Sequence, residues 1–413
     1  MTRHLLTTLS LLLLPLTLTG ASRTLSPQIR SLQVVANQDW LSPPVIRLGS
    51  DDVIHVAFDE LSHNFHRYVY RLEHCEEDWT PSEEIFESDW LEGFNDNIID
   101  DYQNSVNTTV AYTHYTLQIP NERCRLTMSG NYRLHILDED QEGEEVAVAE
   151  FRVTEESMTL LLAATTNTDI DTNGSHQQLS MSLGFGSNVV TRPDEQIRTV
   201  VMQNQREDNL RRNVGPNLTS TNGLEWTHNR QLIFQGGNEY HKFEVLDPSH
   251  PTMGIDFIRW DGTYFQVWPY LNEPRPNYIY DEDADGAFYI RNSDNVENDT
   301  ASDYVWINYR LKAPRLPEGC VVIDGQWATS ADDRYQYVMT YNEAESLYTA
   351  RILQKQGYYS YQYLWLKDDG TTHLLPSEGN FFETENRYQA FVYYKGTGER
   401  TWRLVAYRQI ELK

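Results

Sequence analysis

Cysteine is scarce and odd in number, with Cys75, Cys124 and Cys320 alone in 413 residues. So few thiols exclude a disulfide-dense scaffold, and an odd count leaves at least one without an intrachain partner. Basic residues are also short, 33 against 61 acidic, for a net charge of −28. Such a chain is repelled by phosphate backbones and anionic lipid, which argues against nucleic acid as a partner. Beyond the first eighteen residues no apolar run approaches membrane-spanning length, so no direct membrane insertion is expected. There is no Gly-x-Ser-x-Gly elbow, His-Glu-x-x-His, phosphate loop or dinucleotide fingerprint, and Gly184-Phe-Gly186 lacks the third glycine. Carboxylates abound, yet no pair is singled out by an apolar setting that would raise a pKa for glycoside hydrolysis. No catalytic residue, no enzyme activity, no cofactor and no resident metal is therefore expected.

What the chain has is aromatic bulk. Tyrosine (26) and tryptophan (10) are frequent, aromatics reach 12%, and leucine heptads are absent after residue 18. That composition favours an all-β chain of aromatic-rich strands. The chain opens on Met1-Thr-Arg3, an apolar run from Leu5 to Leu18, and small residues before Ser22. Residues 1–21 read as a Sec signal peptide, with no following cysteine for a lipid anchor. The acidic balance suits an exported soluble protein, or an acidic face matched to a basic partner.

Three β-domains are expected after the signal. In the first, 23–155, Val53 to Phe58, Arg67 to Glu73, Thr113 to Ile119, Asn131 to Leu137 and Val146 to Val153 alternate as strands, with no helical run between them. This pattern predicts a β-sandwich. Cys75 and Cys124 fall within it, and spacing leaves open whether they pair. His63 and His66, with Asp59 and Glu60 nearby, lack a third ligand at a telling distance and read as a solvated turn. The middle domain, 156–311, is again strand-rich, with Gly236-Gly237 as a hairpin or tight connection and Asp261-Gly262 as a hairpin turn. Its Asp281 to Gly286 run opens like a calcium loop, but position twelve is Asn292 and no helix flanks it, so it reads as an acidic β-turn. A linker from Lys312 to Gly319 leads into the last domain, 314–413, with strands at Tyr335 to Tyr341, Ser346 to Leu353 and Gly357 to Trp365.

One stretch stands apart, His74 to Tyr132, a long acidic excursion carrying Trp79, Phe86, Trp90, Phe94, Ile98, Ile99 and Tyr102. A loop this long has a function or a packing task of its own. Trp79, Trp90 and Phe94 are its candidate partner anchors, since interface hot spots favour large aromatics. The alternative is internal packing. The same stretch resembles a Bacteroidetes family of secreted β-proteins that includes the type IX (type 9) secretion plug. The matching residues are His74, Cys75, Asp78-Trp79, Pro81-Ser82, Gly93-Phe94, Ile98, Asp101-Tyr102, Ser105, Asn107-Thr108, Tyr112 to Tyr115, Pro120 to Glu122 and Ser129 to Tyr132. Val201 to Asn204, Asp208-Asn209, Phe234 to Tyr240, Asp285-Gly286, Ala301 to Trp306, Glu378 to Asn386 and Val392 to Tyr394 extend it over most of the chain. The resemblance implies a non-enzymatic periplasmic component of type IX protein secretion. It would close the periplasmic side of a large outer-membrane translocon barrel, as a monomer within a hetero-complex, reaching the outer membrane only through that partner. The last domain is similar to early-set immunoglobulin-like modules, including the glycogen-binding kind, through its strand-turn-Trp327 opening and its Gly357-Tyr-Tyr-Ser-Tyr-Gln-Tyr363 strand. That likeness raises a second reading, an exported carbohydrate-binding envelope protein with Trp327, Tyr358 and Trp365 stacking on sugar rings, against their packing within the sheet.

Overall fold

The computed structural model describes residues 21–328 and 337–413. The expected signal over 1–21 falls outside them but for Ala21, and so do the first two residues of the strand expected at Tyr335. The chain is all-β, with 48% of residues in strands and 6% in helix, arranged as tandem sandwiches.

The first sandwich forms as its alternation predicts. One sheet runs Arg23–Thr24, Glu144–Thr154, Gly130–Asp138, Tyr68–Cys75, Asn97–Ile98, with Val45–Arg47 parallel to Glu144–Thr154. The facing sheet runs Ile29–Ala36, Ile54–Glu60, Thr113–Ile119, Asp101–Asn104. In the register that sets Tyr132 opposite His74, Leu134 opposite Leu72 and Ile136 opposite Tyr70, alternate side chains enter one core. Phe58 stacks on Tyr115 with ring centroids 5.2 Å apart, and Tyr132 on Phe151 at 5.4 Å. Such pairs add about 0.5–1.5 kcal/mol each beyond the area they bury.

Beyond residue 155 the strands do not pair in chain order. The second sandwich sets Thr159–Thr165, His176–Gly184, Gly223–Trp226 and Leu218–Thr219, with Ile233–Gln235 on His176–Gly184, against Arg211–Arg212, Ile197–Gln203, Asn386–Tyr394 and Arg403–Leu412. Leu179, Met181, Trp226 and Phe234 therefore share a core with Tyr388, Ala390 and Val405. The intervening residues build one ten-stranded sheet from His241–Val245 through Gly357–Leu366, Leu347–Lys355 and Tyr304–Leu311 to Ile255–Trp260. Its strands enclose a single core of Phe243, Val267, Ile307, Tyr309, Trp327, Tyr359 and Tyr361.

The expected cut between 156–311 and 314–413 thus does not follow the sheets. Tyr304–Leu311 pairs with Leu347–Lys355 over its whole length, from Tyr304 opposite Lys355 to Leu311 opposite Tyr348. The Pro- and Gly-rich stretch from Lys312 to Gly319 is a turn inside one sheet. Prolines and glycines mark where a strand stops, but they carry no information on which strand it joins. The Asp261-Gly262 turn does close a hairpin between Ile255–Trp260 and Phe265–Pro269. Gly236-Gly237, by contrast, carries the chain from one sandwich to the next.

Candidate functional site

The aromatic excursion folds back on the first sandwich. A short helix, Glu87–Trp90, feeds the strand Leu91–Gly93, which pairs with Cys124–Leu126. His74 clamps its base, with Nδ1 on Ser82 Oγ at 2.9 Å and Nε2 on the Ser129 carbonyl at 3.3 Å. Gly130 is needed beside it: its φ is +150°, and a Cβ there would lie 2.4 Å from His74 Nε2.

The three aromatic anchor candidates part company. Trp79 is 1% exposed and lies under two guanidiniums, Arg152 at 4.9 Å and Arg133 at 5.9 Å. Trp90 is buried, edge-on to Tyr132 at 5.8 Å. Neither can meet a partner, because desolvated aromatic faces are already spent on arginine and tyrosine inside the domain. Phe94 is 77% exposed, and so is its neighbour in the loop, Phe86, at 72%. Phe86 was not singled out by sequence, although it belongs to the same run. Arg400 lies 5.8 Å from its ring and carries the Asp89 carboxylate at 2.6 Å.

The sugar-stacking trio is not a platform. Trp327 is 7% exposed, donates its Nε1–H to the Ser360 carbonyl at 3.0 Å and stacks on Tyr309. Tyr358 lies edge-on to Trp40 of the first sandwich at 5.7 Å. Trp365 donates to the Glu318 carbonyl at 3.0 Å beneath Lys367. Tyr358 and Trp365 are seven positions apart on one strand, and an odd spacing puts them on opposite faces.

The metal readings resolve differently. Asp281 binds Lys242 at 2.6 Å, and Asp283 accepts backbone N–H groups of Tyr240 and Asp285. Asp285 meets Arg387 at 3.1 Å. Protein donors thus take all three acids of the calcium-like run. Burial, the neighbouring carboxylates and too little compensation push Asp283 up to about 8 and Asp285 up to about 7. Among the described residues the group of three that lies within 4.8 Å is His66, Asp138 and Asp140. His66 comes from the histidine pair, but its acids arrive from a turn seventy residues away rather than from Asp59 and Glu60. Asp138 there already accepts from the Asp140 N–H at 3.0 Å and Gln141 Nε2 at 2.6 Å. His63 instead contacts the Ser105 carbonyl at 2.9 Å. All three cysteines are free thiols, with Cys75 and Cys124 buried.

The feature that sequence did not show is a buried charged junction between the first sandwich and the ten-stranded sheet. Asp59 Oδ2 accepts from Lys355 Nζ at 2.7 Å and from the Tyr304 hydroxyl at 2.6 Å, while Oδ1 faces His114 Nδ1 at 2.6 Å. Both ion-pair side chains are essentially sealed, at 0% and 1% exposure. Lys355 also donates to the Asp299 carbonyl at 2.6 Å and lies 4.1 Å from the Tyr112 ring. Next to it Asp303 accepts from the N–H groups of Thr109 and Val110 at 2.8 and 3.1 Å, and Tyr112 donates to the Ser302 carbonyl at 2.7 Å. Burial alone would raise Asp59, but Lys355 and His114 hold it below the usual carboxylate range. Burial pushes Lys355 below the usual ammonium range despite Asp59. The first sandwich grips the second as well: Tyr393 donates to Asn131 Oδ1 at 2.8 Å, and Arg152 lies 4.4 Å over Phe391. Tyr112, His114 and Ala301 to Trp306 were quoted above as residues of the secretion-family likeness, and here they meet.

Three comparisons with known proteins bear on this arrangement. The family model described as the first domain of type 9 secretion system plug proteins matches residues 29–155, the first sandwich. A crystal structure of a hypothetical protein from Parabacteroides merdae superposes with a TM-score of 0.92 at 34% identity, covering 95% of this chain and 100% of that one. No curated protein matches the sequence. Residues 29–155 thus match the first domain of type 9 secretion system plug proteins, and the chain resembles that family.

Proposed function

We propose that the protein is a non-enzymatic periplasmic component of type 9 secretion that closes the periplasmic side of the outer-membrane translocon barrel. The observation that carries this is the plug first-domain match over residues 29–155, in a sandwich fastened to the rest of the chain by the sealed Asp59–Lys355 pair. A wide aqueous pore is occluded by a body that does not deform, and buried polar junctions supply that stiffness. Among the described residues no helix is long and apolar enough to cross a membrane; in this reading the contact with the envelope runs through a protein partner. The chain acts as a monomer in a hetero-complex, and release follows when a second translocon conformation binds it less tightly. Exposed Phe86 and Phe94 offer the aromatic anchor for the barrel.

The test is capture of the tagged mature chain from detergent-solubilised envelope of its native host. Recovery of one very large barrel protein, reduced in the Phe86→Ala/Phe94→Ala variant, is the expected result. A chain that emerges with no membrane partner, even from cells blocked in secretion, ends this proposal.

A further inference from the structure

Among the described residues a cavity lies away from the Asp59 junction, where the second sandwich meets the ten-stranded sheet. It holds about 440 Å³ and is walled by the turn after Ile197–Gln203, the edge strand Ile233–Gln235, and Gln362 and Thr372. Three arginines line it, Arg206, Arg211 and Arg230, in a chain whose net charge is −28. Their local compensation is unequal. Asp208 takes the Arg206 Nε–H and Nη2–H at 3.0 and 2.6 Å. Arg230 donates to the Asp169 carbonyl at 3.3 Å, beside a carboxylate shared with His228. Arg211 has no carboxylate partner among the described residues. Its guanidinium donates to the carbonyls of Asn209 at 3.0 Å and Ile233 at 3.5 Å, and it lies 4.7 Å over the Phe234 ring. Burial lowers its pKa with no acid to oppose the shift.

Among the described residues one positive charge therefore stands without a carboxylate on the wall of a polar cavity. That charge fits a monoanion, and a guanidinium is the group best shaped for a carboxylate. A dianion meets the Asp208 carboxylate on the same wall. An added peptide strand is disfavoured too. The Ile233 and Gln235 carbonyls already accept from Arg211 and from Gln203 Nε2, the latter at 3.0 Å, so the edge offers few free acceptors. Hydroxyl groups, in contrast, find partners. The Gln235 amide is exposed and makes no hydrogen bond among the described residues, and the Asp208 carboxylate, which lines the cavity and already accepts from Arg206 and the Thr372 hydroxyl, keeps one acceptor site. We infer that this cavity binds a small hydroxylated monocarboxylate, the chemical class of uronic and aldonic acids, with its carboxylate on Arg211 and its hydroxyls on Gln235 and Asp208. Neither Phe86 nor Phe94, the anchors proposed above, lines this cavity, and its ligand is held by amides and arginine rather than by Trp327, Tyr358 and Trp365.

The experiment is titration calorimetry of the mature chain with glucuronate, galacturonate and gluconate. Glucose and galactose supply the hydroxyls without the charge, acetate the charge without the hydroxyls, and a tripeptide and inorganic phosphate the rival anions. Saturable binding of at least one of the three acids is expected, with neutral sugars and acetate at least about tenfold weaker, the least that a charge-assisted hydrogen bond contributes. Arg211→Gln should weaken the acid by a similar factor, with Arg211→Lys recovering part of the loss. The inference is overturned by no binding of any of the acids up to about 10 mM, by equal binding of neutral sugars, by tighter binding of phosphate or tripeptide, or by an Arg211→Gln variant that binds as the parent does. Should Arg211→Gln lose the native circular dichroism spectrum, exposed Gln235 takes its place. Gln235→Ala should weaken the acid by a few-fold, and unchanged affinity there also overturns the assignment.

Discussion

Lys355→Met isolates the junction that makes the first sandwich part of a larger body. Lys355 Nζ has two oxygen partners, Asp59 Oδ2 at 2.7 Å and the Asp299 carbonyl at 2.6 Å, and its third side faces the Tyr112 ring. Methionine keeps the stem and removes the ammonium. Asp59 then retains only the Tyr304 hydroxyl and His114 in a site with no water access. Breaking one side of a buried pair costs about 3–5 kcal/mol, because the remaining charge is stranded. Asp59→Asn strands Lys355 in the same way and should cost as much. The double variant buries no charge, so its cost should fall short of the sum of the singles by about 2–3 kcal/mol. Urea unfolding at neutral pH, followed by far-ultraviolet circular dichroism, gives all four corners of the cycle. In the single variants the first sandwich should also loosen from the ten-stranded sheet, held there by the Asp303 and Tyr112 hydrogen bonds that remain. Singles that lose less than about 1 kcal/mol, or a double that equals their sum, would refute the coupling.

Other outcomes follow from the same geometry. Asp283 and Asp285 sit at about 8 and about 7, above their unfolded values, so the folded state holds more protons and stability should fall as pH rises from about 4 to about 8. Asp283→Asn should flatten that slope in thermal melts. Asp59 runs the other way: its folded pKa is depressed, so its contribution is complete above about pH 4 and is lost in stronger acid, seen as a steeper acid limb than in Asp59→Asn. Trp79→Ala should cost about 3–5 kcal/mol in urea unfolding, whereas Phe94→Ala should stay within about 0.5 kcal/mol and change only barrel capture. Trp327→Ala should likewise lower stability by about 3–5 kcal/mol, and a glycan-binding defect in a fully stable Trp327→Ala protein would contradict its place in the core.

Local pattern carried the first sandwich a long way. Thr113–Ile119 and the strand at Tyr68–Cys75 lie where alternation puts them, because their inward residues are large and their flanking turns are plain. What alternation cannot carry is a partner far along the chain. Ile197–Gln203 pairs with Asn386–Tyr394, and no feature of either strand names the other. Asp59 and Lys355 are 296 positions apart, so the junction has no spacing to detect. Trp79 looked like an anchor because nothing near it in sequence announces Arg133 and Arg152. One signal does lie in the sequence: Tyr358 and Trp365 have opposite parity on a single strand, which forbids a shared sugar face. The Arg211 cavity was hidden differently, since an arginine without a counter-ion is a property of three dimensions.

The second sandwich has a further consequence through its last two strands. Between residues 235 and 386 the chain leaves it, builds the ten-stranded sheet, and returns to nearly the same point. At that point Thr384 Oγ1 donates to the Gly237 carbonyl at 3.0 Å, and Asn386 Nδ2 donates to the Gly236 carbonyl at 2.8 Å. Host and guest describe the pair better than neighbours do. The ten-stranded sheet is a guest whose two ends meet, the arrangement that lets one domain be spliced into another. The host cannot close until residues 386–412 have been made, so a truncation at the carboxyl end would strike a core whose other half was synthesised some two hundred residues earlier.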